Sequence, residues 1–500
     1  MVVVIHRQQP GLTRVLIAAA VAALLTGGCT TPFEPGPMFV LPDRYHAVEV
    51  AGEAGTQAVL SPEALAVWWT QFGDPVMGEL VELALIRNND LKIALARVDQ
   101  ARAVERGARS LLFPTVGVGA QAKRYHGGET ESILLNQMGI DEFTATYWQT
   151  GLQVGWEPDL FGSGRARLEA ARDQRTAAVA DVQAVRLSLA ATVASAYVGY
   201  RGLQEQQKVL IDSLQQAKEF LDIAERSFKA GVGLSTDIHL AQAGVAQVQA
   251  RLERTDNALV QARLNLENLC MAAPGSLDAK LAIPEALPAV PATMTPGQPV
   301  DLLMRRPDLI AAEARFHATL KQGEAARLDY LPKFSLGGLL GRSALDVGSE
   351  VSTTSNLWLV SLAMVMPLID FGARESQVEL MDARSREALL AYERTALGAL
   401  FDVERALARL SRDEQLLRAV KAEVGERVVV LRNTQRQYEL GDAGRLEIAQ
   451  ARVSLLESQS ALVSQQVMQL QTHIALFLAM GGGWHLEDGQ ESLVEKTEKP

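Results

Sequence analysis

The chain has 500 residues, 48% of them apolar, which is enough for roughly two to four ordinary domains with buried cores. Its formal net charge of −11 argues against a nucleic-acid partner, which would favour a basic surface. The sequence holds only two cysteines, Cys29 and Cys270, so an intrachain disulfide is not expected.

The N-terminus has the pattern of a secretory leader. Two arginines precede an apolar run over 15–25, which is followed by Thr26, two glycines and Cys29. The run is too short for a permanent membrane helix. A cysteine directly after small residues resembles the lipidation motif of bacterial lipoproteins, although Thr26 stands where that motif usually has leucine. We therefore predict a signal peptide over 1–28 and lipidation of Cys29. The alternative is plain cleavage, which would leave a free N-terminal thiol.

The segment after the leader is rich in proline. Residues 29–60 hold four prolines among small residues, which predicts an extended, lipid-anchored tether. Trp68 and Trp69 follow and are candidate anchors of this region on the body of the protein. Apolar residues then recur with helical spacing, and these helices open the first of two repeats, which we place at 61–270.

After these helices the apolar period changes from 3.6 to 2. Over 115–123 and 147–156, apolar side chains alternate with small or polar ones, and each segment has the length of a tilted transmembrane strand. Trp148 and Trp156 share a face and lie ~26 Å apart at ~3.3 Å per residue, which suits two aromatic belts at membrane interfaces. We predict a transmembrane hairpin over about 113–157. A soluble hairpin buried on one side would explain the alternation equally well.

Long helices dominate the rest of the chain. The predicted helices are 163–230, 236–269, 372–440 and 446–480. The two longer ones contain no proline, and each would be ~100 Å long at ~1.5 Å per residue. Each longer helix must reverse into a shorter one, and Gly231 and Gly441 are suited to the left-handed residue that ends a helix.

The two halves of the chain are copies of each other. Matched residues at a single offset of 210 are Phe161 and Phe371, Gly162 and Gly372, Phe228 and Tyr438, and Gly231 and Gly441. Upstream, Pro114 recurs as Pro332 at an offset of 218, so an eight-residue difference lies between this proline and the long helix. The fold class is therefore α+β, mainly long α-helices, built as a tandem duplication of one α/β hairpin unit.

The duplication sets the remaining boundaries. The second repeat is predicted at 305–480, with its hairpin at about 332–367. Its last strand alternates poorly, because apolar residues fall on both faces. A proline-rich, nonhelical crossover over 271–304 joins the repeats, and a polar tail occupies 481–500.

The number of strands predicts the assembly. Four transmembrane strands cannot enclose a lumen, and an open sheet edge in lipid would leave backbone groups unpaired. Two chains would give eight strands, whose side chains fill the interior, whereas three chains give twelve and leave a channel. We expect a homotrimer with a 12-strand transmembrane β-barrel, continued by a periplasmic α-helical barrel.

Three short segments also carry a family resemblance. They are 156–162 (WEPDLFG), 305–313 (RRPDLIAAE) and 367–372 (PLIDFG). They resemble signature segments of the TolC-like outer membrane efflux proteins, in particular the lipoprotein branch that serves RND-type multidrug pumps. Pro158 departs from the family pattern, which more often has a non-proline residue between the two acids.

The resemblance implies more than the residues alone establish. It implies a trimer with an equatorial domain made from the termini and the crossover, docked to a periplasmic adaptor and an inner-membrane RND pump. The chain would be a passive exit duct in the outer membrane for drugs or other small molecules. Alternatives are a channel for type I protein secretion and, in another class, a coiled-coil structural lipoprotein without a pore.

In this family the periplasmic end closes like an iris, which points to residues at the helix tips. By position, the residues that tether the coils or form an acidic ring are Asp237, Tyr438 and Glu447. An arginine of some family members is Ala443 here, and Asp442 and Arg445 could substitute for it. The alternative for each residue is an ordinary solvent-exposed turn.

The sequence lacks the patterns of catalytic and metal sites. Its seven histidines are scattered without the spacing of a zinc site, and no Gly-x-Ser-x-Gly elbow occurs. We expect no enzyme activity, no metal, and no cofactor besides the N-terminal lipid.

Overall fold

The computed structural model of the protein describes residues 42–47, 65–127, 143–283, 285–291, 298–347 and 351–482. The predicted signal peptide, Cys29, most of the tether and most of the polar tail lie outside the described residues.

The first repeat begins with helices and continues into a hairpin and two longer helices. Its elements are α1 (Pro75–Arg87), α2 (Asn89–Ser110), β1 (Thr115–Gly127), β2 (Phe143–Trp156), α3 (Ser163–Lys229) and α4 (Ser235–Leu269). Helix α1 begins where it does because the Asp74 side chain accepts the Met77 N–H at 2.9 Å and a proline occupies its first turn.

Two short helices follow the first repeat, α5 (Asp278–Leu281) and α6 (Asp301–Arg305). The second repeat then has one helix before its hairpin and two longer helices after it. Its elements are α7 (Pro307–Leu328), β3 (Lys333–Val347), β4 (Val351–Val365), α8 (Ala373–Leu440) and α9 (Arg445–Ala479). Helices α3 and α8 have 67 and 68 residues, and α4 and α9 have 35 each. The predicted fold class is confirmed. The crossover, expected to be nonhelical, contains the two short helices α5 and α6.

The four strands form one antiparallel sheet in the order β1-β2-β3-β4. Thr115 lies opposite Gly155 in the first hairpin, and Lys333 lies opposite Val365 in the second. These pairs correspond to each other at the offsets of 218 and 210 found in the sequence, so the two hairpins have the same register. The length difference between the repeats arises in the hairpin connections, which have fifteen residues, 128–142, in the first repeat and three, 348–350, in the second.

The chain divides into two compact units. The sheet unit comprises Gln100–Arg175 and Ala314–Leu390, together with Met1–Met38, which lies outside the described part. The helical unit comprises Phe39–Asp99, Thr176–Glu313 and Ala391–Pro500.

The helical unit holds the main hydrophobic core. Trp68, Trp69 and Phe72 are buried together, and the Trp68 ring stacks on Phe477 with 5.1 Å between centroids. Small residues such as Ala194 and Ala399 fill the same core, so its helices approach closely. The predicted role of the paired tryptophans as anchors agrees with this burial.

Candidate channel wall and helix tips

The register of the sheet separates its residues into two faces. One face, here called the apolar face, is mostly apolar and carries Val116, Val118, Trp148, Leu152, Val154, Leu336, Leu340, Trp358, Val360 and Leu362. The same face also carries Arg342, which donates to the Asn356 side chain at 3.3 Å. Trp358 lies opposite Leu340, which in turn lies opposite Leu152. The last strand, whose facing the sequence left open, is assigned by this pairing. An apolar surface of this kind suits contact with lipid tails.

The opposite face, here called the polar face, is more varied. It carries Gln121, Lys123, Tyr147, Gln149, Gln153, Ser335, Ser343, Ser355 and Ser361, and also Leu339, Leu357 and Leu359. Gln121 donates to the Gln149 side chain, and the Ser343 and Ser355 hydroxyls lie 3.2 Å apart. A face with these amide, hydroxyl and ammonium groups suits water.

The tryptophans predicted at membrane interfaces lie on the apolar face. Trp148 is 54% exposed, and Trp156, near the other end of β2, donates its Nε1–H to the Leu112 carbonyl at 3.1 Å. Trp358 is a third exposed tryptophan on this face, 75% exposed, which sequence reasoning did not single out as an interface residue.

Glycines allow β2 and β3 to approach closely at mid-strand. Gly151 and Gly341 lie opposite each other. A Cβ on Gly151 would sit 2.6 Å from the Leu340 carbonyl oxygen, and one on Gly341 would meet the Thr150 carbonyl even more closely. The backbones therefore occupy the space that side chains would need.

An aspartate begins each long helix. The Asp159 carboxylate accepts the N–H groups of Gly162, Gly164 and Arg165, and Asp370 accepts those of Gly372 and Arg374. Burial raises the pKa of Asp159, but its hydrogen bonds from Gly164 and Arg165 and the Arg165 charge outweigh it, so the pKa lies below its usual value. Pro158 leaves this capping role intact.

The long helices α3 and α8 end in the same way, at the two helix tips. Gly231 and Gly441 adopt φ angles of 78° and 85°. Their N–H groups donate to Phe228 and Tyr438, while the N–H of the next residue reaches back to the carbonyl of Ser227 or Gln437. This pattern is a Schellman motif, which satisfies the last carbonyls of α3 and α8.

Acidic residues occupy the third position of α4 and α9, the two return helices that follow the tips. Asp237 accepts the Leu234 N–H at 3.2 Å, which ties its carboxylate to the start of α4. Glu447 is its counterpart in α9, and its Oε2 lies 2.7 Å from where a Cβ on Gly444 would sit. Both acids therefore lie where the helix dipole favours negative charge.

The other gate candidates are dispersed around the tips. Tyr438 lies in the last turn of α8, where its carbonyl accepts the Gly441 N–H. Asp442 is exposed, and the side chain of Arg445 lies outside the described residues. Asp237 lines a groove of about 760 Å³ together with Gln450. The groove lies between α3, α4 and α9, within the helical unit.

A buried arginine was missed by sequence reasoning. Arg201 is fully buried and donates to the Tyr197 hydroxyl, the Ile283 carbonyl and the Glu285 carboxylate. Tyr197 donates in turn to Asp74, the residue that caps α1. The signal in the sequence was its place one turn after Tyr197 on the apolar stripe of α3.

The described residues hold little further chemistry. Within the described ranges, no cluster of three or more His, Cys, Asp or Glu residues could hold a metal ion. Among the same residues, one helix, Ser163–Lys229, includes a window apolar enough to cross a membrane. That window is 56% buried in the structure, which fits a core helix.

Comparison with known proteins agrees with this geometry. The family model of the outer membrane efflux protein matches residues 80–270 and 299–482. The antibiotic efflux pump outer membrane protein ArpC of Pseudomonas putida is 27% identical over 98% of this chain and 100% of its own length. The pyoverdine export outer membrane protein OpmQ of Pseudomonas putida is 29% identical, over 92% of this chain and 95% of its own length.

A solved structure agrees as well. The outer-membrane channel OprN superposes with a TM-score of 0.81 and 28% identity, covering 91% of this chain and 100% of that chain. The matched residues span both repeats, both hairpins and all four long helices. The chain belongs to the outer membrane efflux protein family.

Proposed function

We propose that three copies of this chain form one pore, a twelve-stranded β-barrel in the outer membrane continued by twelve long helices in the periplasm. The chain is the outer-membrane channel of a tripartite efflux system. The observation that supports the trimer is the two-faced sheet, whose apolar face suits lipid and whose polar face suits water. Four strands are too few to enclose water, whereas twelve leave a lumen.

The test of the pore combines size with conductance. We expect the detergent-purified protein to have the mass of three chains by native mass spectrometry and to give stable conductance steps in planar bilayers. Heat-denatured protein is the control for both readouts. A monodisperse monomer that gives no conductance would contradict the proposal.

The partners we propose are a periplasmic adaptor and an inner-membrane pump of the RND type. A passive pore needs an energy source elsewhere, and relatives such as ArpC are named as parts of efflux pumps. Val232 and Leu440 are exposed apolar residues at the tips, which suits docking of another protein. We expect Val232→Asp to abolish adaptor cross-linking without changing conductance. Unchanged cross-linking would exclude this part of the tip as the docking site.

The cargo we propose is a small molecule selected by the pump. The relatives' names refer to different molecules, antibiotics for ArpC and pyoverdine for OpmQ. Replacing the pump gene while keeping this channel should therefore change which molecules are exported. If the exported molecules stay the same, selectivity lies in the channel.

The gate we propose lies at the tips, where Asp237 and Tyr438 bias the pore towards its closed state. If the closed state is favoured by only a few kcal/mol, the binding of a coupled pump and adaptor can supply the free energy needed to open the pore. We expect Asp237→Ala with Tyr438→Phe to raise single-channel conductance, with Thr236→Ala as the control on the same turn. Unchanged conductance would remove these residues from gating.

Lipidation of Cys29 is also part of the proposal, and its support is the leader sequence. We expect labelled palmitate to be incorporated into the wild-type chain and not into Cys29→Ser. Absence of label from the wild type would favour plain cleavage.

A further inference from the structure

The apolar face of the sheet meets its first charge at the same strand position in both hairpins. On β1 four apolar residues of this face precede Arg124, and on β3 three apolar residues and a glycine precede Arg342. They are Val116, Val118, Ala120 and Ala122 on β1, and Phe334, Leu336, Gly338 and Leu340 on β3. Each arginine is the tenth residue of its strand, counted from the end that joins the helices.

The two arginines correspond to each other in the internal repeat. Arg124 and Arg342 differ by the offset of 218 that relates β1 to β3. Arg124 lies opposite Thr146, and Arg342 lies opposite Asn356. These two partners differ by the offset of 210 that relates β2 to β4. Each hairpin therefore presents an arginine beside a hydroxyl or an amide, here called the outer site of that hairpin.

The outer sites lie where lipid tails meet headgroups. A tilted strand crosses the hydrocarbon core in about 9–11 residues, so the tenth residue lies at the interface far from the helices. Trp148 and Trp358 are the next residues of this face on β2 and β4, towards the helices, and both are exposed. Tryptophan prefers this level of a bilayer. With the helices in the periplasm, the outer sites face the outer leaflet.

The charge at the outer sites suits a phosphate. Arg124 and Arg342 are exposed, and a guanidinium group can bind phosphate with two parallel hydrogen bonds. Among the described residues of the four strands, the one carboxylate on this face belongs to Asp346. It lies two strands from Arg124 and four residues beyond Arg342, ~10 Å and ~13 Å away at the usual strand spacings. Neither arginine is therefore neutralised by a contacting acid on this face.

The neighbouring groups favour a sugar beside the phosphate. The Arg342 Nε–H donates to the Asn356 side chain at 3.3 Å, which uses one of the five N–H groups of the guanidinium. Thr146 and Asn356 add a hydroxyl and an amide, which can both donate to and accept from sugar hydroxyls. A glycerol phospholipid offers fewer such groups than a phosphorylated glycolipid.

We propose that Arg124 and Arg342 bind the phosphate groups of lipopolysaccharide in the outer leaflet, an inference that rests on the proposed channel. The headgroup of this lipid, lipid A, carries phosphates on glucosamine. Its acyl chains would lie along the apolar face beside Trp148 and Trp358. Two outer sites per chain give six around the proposed trimer.

The test measures lipid binding to detergent-purified trimers by native mass spectrometry. We expect lipid A to bind more tightly than the same lipid without its phosphates, and more tightly than phosphatidylglycerol. The double variant Arg124→Gln with Arg342→Gln should bind lipid A about tenfold more weakly, because it loses charge-assisted hydrogen bonds to phosphate. Each single variant removes one of the two sites per chain and should keep about half of the tightly bound lipid.

Lys123→Gln is the matched control for Arg124→Gln. Lys123 is the preceding residue of β1 and has the same charge, but it lies on the polar face. Its removal should leave lipid A binding unchanged. Equal losses from Lys123→Gln and Arg124→Gln would mean that net charge attracts the lipid, and would overturn the proposed site.

The outcomes separate this inference from the proposed channel. Loss of lipid A binding in the arginine variants alone, in trimers that still conduct, supports it. Equal affinity of the wild type for lipid A and phosphatidylglycerol overturns the assignment to lipopolysaccharide. Conducting trimers whose arginine variants bind lipid A like the wild type overturn the inference and leave the channel standing. A monomer without conductance, whose lipid binding does not depend on the arginines, overturns both.

Discussion

Gly151 and Gly341 are the residues at which the sheet has least room. A Cβ on either residue would overlap the backbone of the neighbouring strand, so β2 and β3 would have to move apart to make room for it. We expect Gly151→Ala or Gly341→Ala to destabilise the folded protein by about 3 kcal/mol, at the upper end of overpacking effects. The measurement is the thermal melting of the detergent-purified protein.

Gly117 is the matched control for this prediction. It lies on β1, and a Cβ there would meet no atom within 4 Å. Gly117→Ala should therefore melt within a few degrees of the wild type. Equal losses from all three substitutions would mean that strand glycines matter through chain entropy and not through close approach.

His473 is a buried titratable residue in the helical unit. Burial lowers the pKa of His473, and the charge of Asp413 opposes this effect. Asp413 itself accepts the Thr472 hydroxyl at 2.6 Å. Because the folded state disfavours the protonated imidazole, its contribution to stability is full above the unfolded pKa of about 6.5 and is lost as the pH falls towards the lower folded value.

We predict that the stability of the protein depends less on acid pH when the imidazole of His473 is removed. From pH 7.5 to 5.5, the denaturant midpoint of His473→Gln should fall less than that of the wild type. His239→Gln, at an exposed position of α4, serves as control and should follow the wild type. Parallel curves for His473→Gln and the wild type would mean that the imidazole does not titrate differently in the folded state.

At the scale of the element, the return helices α4 and α9 both begin with an acidic residue at their third position. Asp237 and Glu447 occupy the same position in α4 and α9, and Asp237 accepts a backbone N–H that no helical carbonyl could reach. We expect Asp237→Ala to weaken the first turn of α4 by about 0.5–1 kcal/mol. Faster amide exchange over 234–238, with no change at the centre of α4, is the measurable result.

Thr236→Ala is the control for this capping effect. We expect this substitution, one residue before Asp237, to leave amide exchange in the first turn of α4 nearly unchanged. Together with the conductance of the same variants, exchange separates a capping role of Asp237 from a gating role. Faster exchange with unchanged conductance would leave Asp237 as a cap only.

The elements differ in how far the sequence could predict them. The long helices were predictable from the glycines and prolines at their ends. The left-handed backbone conformation of Gly231 and Gly441 depends only on the residue type at that position, so it can be read from the local sequence. The facing of β4 was not predictable, since Leu357 and Leu359 make both of its faces apolar. Only pairing with β3 assigns it, and pairing is a long-range property. The capping role of Asp159 was likewise unclear, because it depends on how the chain turns into α3.

At the scale of the whole chain, Arg201 connects segments that are far apart in sequence. It bonds the crossover at Ile283 and Glu285 and reaches the start of α1 through Tyr197. Its place on the apolar stripe of α3 could have indicated burial. Its partners could not be predicted, because they lie on segments about 80 residues or more away in the sequence.

Removing Arg201 should therefore affect the helical unit broadly. We expect Arg201→Met to cost about 2–3 kcal/mol, because buried acceptors lose their donors while the half-exposed Glu285 regains water. Arg226→Ala breaks an exposed ion pair with Asp222 and should cost less than about 0.5 kcal/mol. Chemical unfolding followed by tryptophan fluorescence measures both. Equal effects would show that the buried contacts contribute no more than surface ones.

The unequal hairpin connections affect how the assembled molecule meets its surroundings. Fifteen residues, 128–142, join β1 to β2, whereas three residues, 348–350, join β3 to β4. Around the proposed trimer, connections of fifteen and three residues would alternate. An epitope tag for surface labelling therefore belongs in the longer connection, 128–142, which has more residues to accommodate it.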